Sequence, residues 1–78
     1  MAMPHFWFDV CRDDGEWSRD DEGTDLPNAE EAGQEGINLA YALAKGHPPA
    51  RYISVRVRND QPEPLLSIRL SADVLRRV

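Results

Sequence analysis

The sequence predicts an α+β fold: a β-β-α-β-β two-layer sandwich in which one helix covers one face of a four-stranded antiparallel sheet. Three observations carry that expectation. Arg51 to Arg58 (RYISVRVR) alternates apolar and polar side chains, and Met3 to Cys11 does the same with aromatics, which is the period of a half-buried strand. Between them, Asn28 to Ala44 repeats its apolar positions at the period of a helix. Two hairpins and one helix can bury their apolar faces together only by laying the helix across one side of the sheet, which leaves the other side open.

The elements follow in order. In the first strand Phe6, Phe8 and Val10 form the core face, and His5, Trp7, Asp9 and Cys11 point the other way. Arg12-Asp13-Asp14-Gly15 supplies a turn, because Asp side chains bond the local backbone and Gly accepts positive φ. The return strand, Glu16 to Arg19, is short and polar apart from Trp17, as suits a protected edge. A second turn, Asp21-Glu22-Gly23-Thr24-Asp25, leads through Leu26-Pro27 to the helix. The residue before proline stays extended, so Asn28 becomes the N-cap, with Glu31 three residues later and Glu30 adding charge at the positive end of the dipole.

On a helical wheel Ala29, Ala32, Gly33, Gly36, Ile37, Leu39, Ala40, Leu43 and Ala44 share one arc, which is unusually thin. Two interior glycines cost roughly 1 kcal/mol each relative to alanine, so a close approach of the helix backbone to the sheet is expected to offset them. The helix ends near Lys45-Gly46 with a glycine C-cap, before His47-Pro48-Pro49. The third strand turns Ile53, Val55 and Val57 inward and Tyr52, Ser54, Arg56 and Arg58 outward. A polar loop over 59–64 follows, and the fourth strand places Leu66, Ile68 and Leu70 inward and Ser67 and Arg69 outward. The end of the chain, 71–78, reads equally as a helical turn capped by Ser71 or a ragged extension of the last strand. The whole of 1–78 is expected to form one domain.

Seventy-eight residues make a small core, yet the hydrophobic fraction of 41% and charged fraction of 29% are those of a folded, soluble chain. The lone Cys11 forms no internal bridge, which favours a reducing, cytoplasmic setting, and no segment has the length of a membrane span. The net charge of −5 is unevenly spread: residues 1 to 35 carry eleven acids against two arginines, whereas residues 36 to 78 carry seven bases against three acids. The two halves attract. An acidic chain of this kind is unfavourable for general nucleic-acid binding, although a local basic face is allowed.

No constellation specifies catalysis, a metal or a cofactor. The acids Asp13, Asp14, Glu16, Asp20, Asp21, Glu22 and Asp25 fail the EF-hand spacing, since aligning Gly15 with the required glycine puts Val10 at the first ligand position and Arg12 at the third. They read as solvated turns. His5, Cys11 and His47 are too few and too scattered for structural zinc. The candidate binding surface is therefore the open sheet face, with His5, Trp7, Asp9, Tyr52, Arg56, Arg58 and Arg69. Interleaved aromatics and arginines there can anchor a protein partner or a second copy, or stack single-stranded bases. The plainer expectation is cross-strand pairing, in which Arg56 or Arg58 neutralises Asp9 and stacks on Trp7.

Phe6-Trp7-Phe8-Asp9, Asp13-Asp14-Gly15, Asp21-Glu22-Gly23-Thr24-Asp25-Leu26-Pro27 and Glu30-Glu31-Ala32 together resemble a family of small bacterial proteins known only as a domain of unknown function. The resemblance covers nearly the whole chain and implies the same α+β fold, with no activity or catalytic residues to carry over. A looser resemblance, through the acidic turn, the D-LP segment and the E-E-A helix start, is to HicB-like antitoxin domains, which would imply a toxin as partner.

Overall fold

A computed structural model describes residues 3–13, 15–46 and 50–71. The elements are β1 (His5–Cys11), β2 (Trp17–Ser18), β3 (Thr24–Asp25), α1 (Ala29–Ala44), β4 (Tyr52–Arg58) and β5 (Leu66–Ser71). All strand pairings are antiparallel, and the sheet runs β2-β1-β4-β5 with β3 also pairing to β1. The fold is α+β as expected, but the sheet has five strands rather than four. The additional one is β3, two residues inside the stretch read as a plain turn. It pairs His5 with Asp25 and Phe6 with Thr24, at the opposite end of β1 from the Val10–Ser18 and Cys11–Trp17 pairs of β2. The expectations for Asp14, for the His47-Pro48-Pro49 break and for 72–78 lie outside the described residues.

Alternation places the core where the two long strands predict it. Phe6, Phe8, Ile53, Val55 and Val57 are buried on one face, with Val10, Ile68 and Leu70 partly buried beside them. Over this face α1 lies chiefly on β4 and β5. Its start is as read from the sequence: Asn28 accepts the Glu31 N–H at 2.8 Å, and Glu30 and Glu31 occupy the first turn. Its end differs. Lys45 is the C-cap, at φ −90°, and Gly46 donates its N–H to the Leu43 carbonyl at 3.2 Å. Among the described glycines only Gly15 and Gly23 have positive φ, so no left-handed glycine closes the helix.

The buried stripe of α1 is Ala32, Gly36, Ala40 and Ala44, every fourth residue and all small. Such a stripe lets the helix backbone settle directly on β4. A methyl group added at Gly36 would come within 2.8 Å of Val57 Cγ2 and 3.0 Å of Ile68 Cδ1, whereas at Gly33 the nearest atom would be Leu66 Cδ2, at an ordinary 3.4 Å. This settles the helix about a stripe narrower than the arc expected. Ile37 and Ala29, placed inward by the wheel, are exposed, and so is Leu66 at the start of β5.

The two helix glycines should therefore respond oppositely to alanine. Gly36→Ala should destabilise by about 1–3 kcal/mol through overpacking against Val57 and Ile68. Gly33→Ala should stabilise by roughly 0.5–1 kcal/mol through helix propensity alone. Denaturant midpoints of the two variants check this, and equal signs would mean that the close approach is not confined to Gly36.

Candidate functional site

The outer face of the sheet is built by register. Trp7 lies opposite Arg58, Asp9 opposite Arg56, and Cys11 opposite both Ser54 on β4 and Trp17 on β2. On the far side Ser54 faces Arg69 and Arg56 faces Ser67. Cross-strand partners share a face, so His5, Trp7, Asp9, Tyr52, Arg56, Arg58 and Arg69 all belong to this surface. Trp17 joins them. It was passed over because a two-residue edge strand carries no readable alternation, yet hairpin pairing with Cys11 assigns its face.

Asp9 is not displayed on this face but enclosed in it, with no exposed surface. Its Oδ2 accepts from Arg56 Nε at 3.2 Å and from Arg58 Nε at 2.6 Å, while its Oδ1 accepts from Arg58 Nη2 at 3.1 Å and from the Asp20 backbone N–H at 3.0 Å. Arg58 thus grips the carboxylate with both arms of its fork, a geometry available because it sits diagonally across from Asp9 on the neighbouring strand. The reason for Asp9's enclosure is this convergence: two guanidinium groups and the Asp20 backbone close over a short side chain in the centre of the sheet. Burial alone pushes the Asp9 carboxyl up. The hydrogen bonds from Arg58, Asp20 and Arg56 outweigh it and leave the group below its usual range. Arg58 is correspondingly raised, first by its bond to Asp9.

The aromatics complete the layer. Arg56 lies over the Trp17 ring at 4.3 Å and Arg58 over the Trp7 ring at 5.6 Å, while His5 meets Trp7 edge-on at 4.7 Å. Each cation–π contact contributes about 0.5–1 kcal/mol at a surface of this kind. At one end of the face a polar cleft of about 580 Å³ opens between Trp7 and Arg58 on the sheet and Arg19, Asp21, Asp60 and Pro62 on the loops. Tyr52 and Arg69 stand apart from the Asp9 cluster, exposed at the other end.

The acidic turn proves to be the strap that holds β1. Asp20 accepts the Phe8 N–H on Oδ2 at 3.0 Å, filling the stretch of β1's outer edge between β2 and β3, and accepts the Glu22 and Gly23 N–H groups on Oδ1. Burial raises Asp20, but the Gly23, Phe8 and Glu22 amides overcome it and keep its carboxyl low. Gly23 has φ +72°, and a methyl group there would lie 2.7 Å from the Phe6 carbonyl oxygen and clash with the Nε2–Cδ2 edge of the His5 ring. His5 Nδ1 meets Asp25 Oδ1 and its Nε2 meets the Glu22 carbonyl at 2.7 Å, so both ring nitrogens face acceptors. Only the doubly protonated ring satisfies both, and the bond to Asp25, followed by that to Glu22, raises its pKa. In the first turn Asp13 accepts the Tyr52 N–H at 2.7 Å, so this acid too is engaged rather than merely solvated.

Among the described residues no group of three or more His, Cys, Asp and Glu side chains is arranged to hold a metal ion, and no helix is long and apolar enough to cross a membrane. Cys11 is a free, half-buried thiol at the margin of the face.

Two outcomes follow for the titrating groups. Asp9→Asn leaves two arginines without their charge partner; both can reach water, so the expected loss is about 2–3 kcal/mol, read from chemical denaturation. Because the folded pKa values of Asp9 and Asp20 are depressed, their stabilisation is complete above the ordinary carboxylate range and is lost as pH falls through the folded values. His5 has the opposite sign. Its contribution is complete below 6.5 and fades as pH rises through the elevated folded value. A nuclear magnetic resonance titration of the His5 ring, with denaturant midpoints across neutral pH, should show this loss, and His5→Gln should flatten it.

The model of a domain of unknown function, DUF6894, matches residues 5–71, which spans every strand and the helix described above. Neither curated proteins nor solved structures gave a match, and the likeness to HicB-like antitoxins finds no support. The match begins at His5, whose ring is held by the strap, and ends at Ser71, the last residue of β5, so the chain belongs to the DUF6894 family of domains of unknown function.

Proposed function

We propose that this protein is a cytoplasmic protein-interaction module that binds its partner through the open sheet face, and that it is not an enzyme. The observation that carries the reading is the state of Arg56, held between the Asp9 carboxylate on one side and the Trp17 ring on the other while a third of its side chain remains exposed. Trp, Tyr and Arg are the side chains that dominate protein interfaces. Ordering them before binding removes an entropic cost of about 0.5–1.5 kcal/mol for each flexible side chain. Trp17 lies against this ordered arginine and Tyr52 stands further along the arginine's own strand, and both are exposed and supply apolar contact area. Nucleic acid is the weaker alternative, because Arg56 and Arg58 already share a carboxylate and Asp20 and Asp21 lie beside them. Phosphate binding depends on cations whose charge is not already matched.

The test compares wild type with a Trp17→Ala, Tyr52→Ala variant, both positions being exposed and outside the buried core. Affinity capture from the native cell should yield a partner that the variant loses, with at least tenfold weaker binding of the purified partner while the variant stays folded, its melting point lowered only as far as loss of the Trp17–Arg56 contact accounts for. Identical capture by both proteins would exclude this face. Resonance shifts at Arg56, Arg58 and Arg69 on titrating single-stranded oligonucleotide at about 50 mM salt would favour the nucleic-acid alternative.

A further inference from the structure

The two edges of the sheet are treated differently. The β1 edge is closed along its length, by β2 at one end, by the Asp20 carboxylate in the middle and by β3 at the other. The β5 edge carries no further strand among the described residues. β5 is six residues long, with no proline, and its only charge is Arg69. Unprotected edges of this length present backbone donors and acceptors to another strand.

The helix adds an apolar flank to that edge. Gly33 lies over Leu66 and Gly36 over Ile68, so α1 runs alongside β5 in the same direction, and the side of the helix continuing from Gly33 through Ile37 to Tyr41 faces the open edge. Ile37 is 36% exposed, Tyr41 41%, Leu65 42% and Leu66 38%, which places at this one margin four of the seven large exposed hydrophobics among the described residues. We infer that β5 pairs antiparallel with β5 of a second copy of this chain, joining the two sheets edge to edge with the helices side by side.

A second copy fits because the edge is complementary to itself. A two-fold axis at Ile68 pairs the strand over its full apolar span and sets Arg69 against the partner's Ser67, avoiding the like-charge contact that an axis at Arg69 would create. The same axis makes the helices antiparallel. Glu30, on the flank of Ile37 and Tyr41 in the acidic first turn of α1, then comes towards the end of the neighbouring helix whose C-cap is the partner's Lys45, so opposite charges approach across the axis. Rotation about an axis perpendicular to the sheet keeps both open faces on one side, so the dimer would display two copies of the Trp17–Arg56 surface in one plane. The pairing stands whether or not that surface binds a partner.

Sedimentation equilibrium from micromolar to millimolar protein, combined with amide hydrogen exchange, tests the inference. A monomer–dimer equilibrium is expected, with β5 amides protected in step with the dimer. An Ile37→Lys, Tyr41→Lys variant of unchanged circular dichroism should dissociate at least tenfold more readily, and Leu65→Glu alone should act in the same direction. A monomer at every concentration overturns the inference. So does protection of the β5 edge at dilutions where only monomer sediments, since the edge would then be covered within one chain. A dimer indifferent to these variants but abolished by Trp17→Ala, Tyr52→Ala would place self-association on the open face instead.

Discussion

The structure turns on a carboxylate with no exposed surface in the middle of a sheet face that is otherwise wet. Asp9 must remain hydrogen-bonded wherever it is charged, because an uncompensated buried charge costs several kcal/mol. Meeting that requirement recruits Arg56 and Arg58 from β4 and the Asp20 backbone from the strap, two segments far apart in sequence. The pairing of β1 with β4 is consequently specified twice. Apolar alternation on the inner face sets which residues point inward, and the Asp9 fork on the outer face resists a slip along the strand. For a small core made of two phenylalanines, three β-branched residues and several alanines, that second specification matters.

Asp20 extends the same logic to the sheet edge. A carboxylate has more acceptor capacity than a peptide carbonyl, so one side chain can take the Phe8 amide and both amides of the following turn. The turn it holds brings Asp25 beneath His5 and Leu26 to the margin of the core, where the Leu26 N–H also reaches the Pro4 carbonyl at 3.0 Å. Gly23 is needed at this point for two independent reasons, its left-handed backbone and the His5 ring lying against it. The run from Asp20 to Pro27 is thus a closure for β1, in which the Asp20 and Asp25 carboxylates are engaged internally.

Elements with a strong period were legible in the sequence, and so was the cross-strand pairing that sets Arg58 on Asp9 and over Trp7; the contacts made by the turns, and how deeply Asp9 is enclosed, were not. The Arg51–Arg58 alternation, the Asn28 cap and the membership of the outer face follow from periods of two and 3.6 and from capping chemistry, all of which are local. β3 was missed because two residues paired to β1 look like any Asp-rich turn. The enclosure of Asp9 was missed for a different reason: alternation assigns a face, not exposure, and exposure here depends on two arginines 47 and 49 residues away. The helix wheel placed Ile37 inward because it treats the apolar arc as centred on hydrophobicity. The structure centres it on the smallest side chains, since Ala32, Gly36, Ala40 and Ala44 allow the closest approach to β4.

That shift of the helix has a consequence for the whole surface. A helix seated on large side chains would stand away from the sheet and spread its apolar arc over all four main strands. Seated on small ones, it lies low over β4 and β5, and Leu39 and Leu43 reach towards the core from one flank while Ile37 and Tyr41 are left on the other. The β1 side then has to be completed by the strap and Leu26, which is the work of Asp20 and Gly23. One choice of small residues along α1 therefore accounts for both the elaborate closure at the β1 edge and the apolar margin beside β5. The outer face, free of this constraint, is organised by charge: arginines anchored on Asp9 turn flexible side chains into a fixed layer over which Trp7 and Trp17 are held in register.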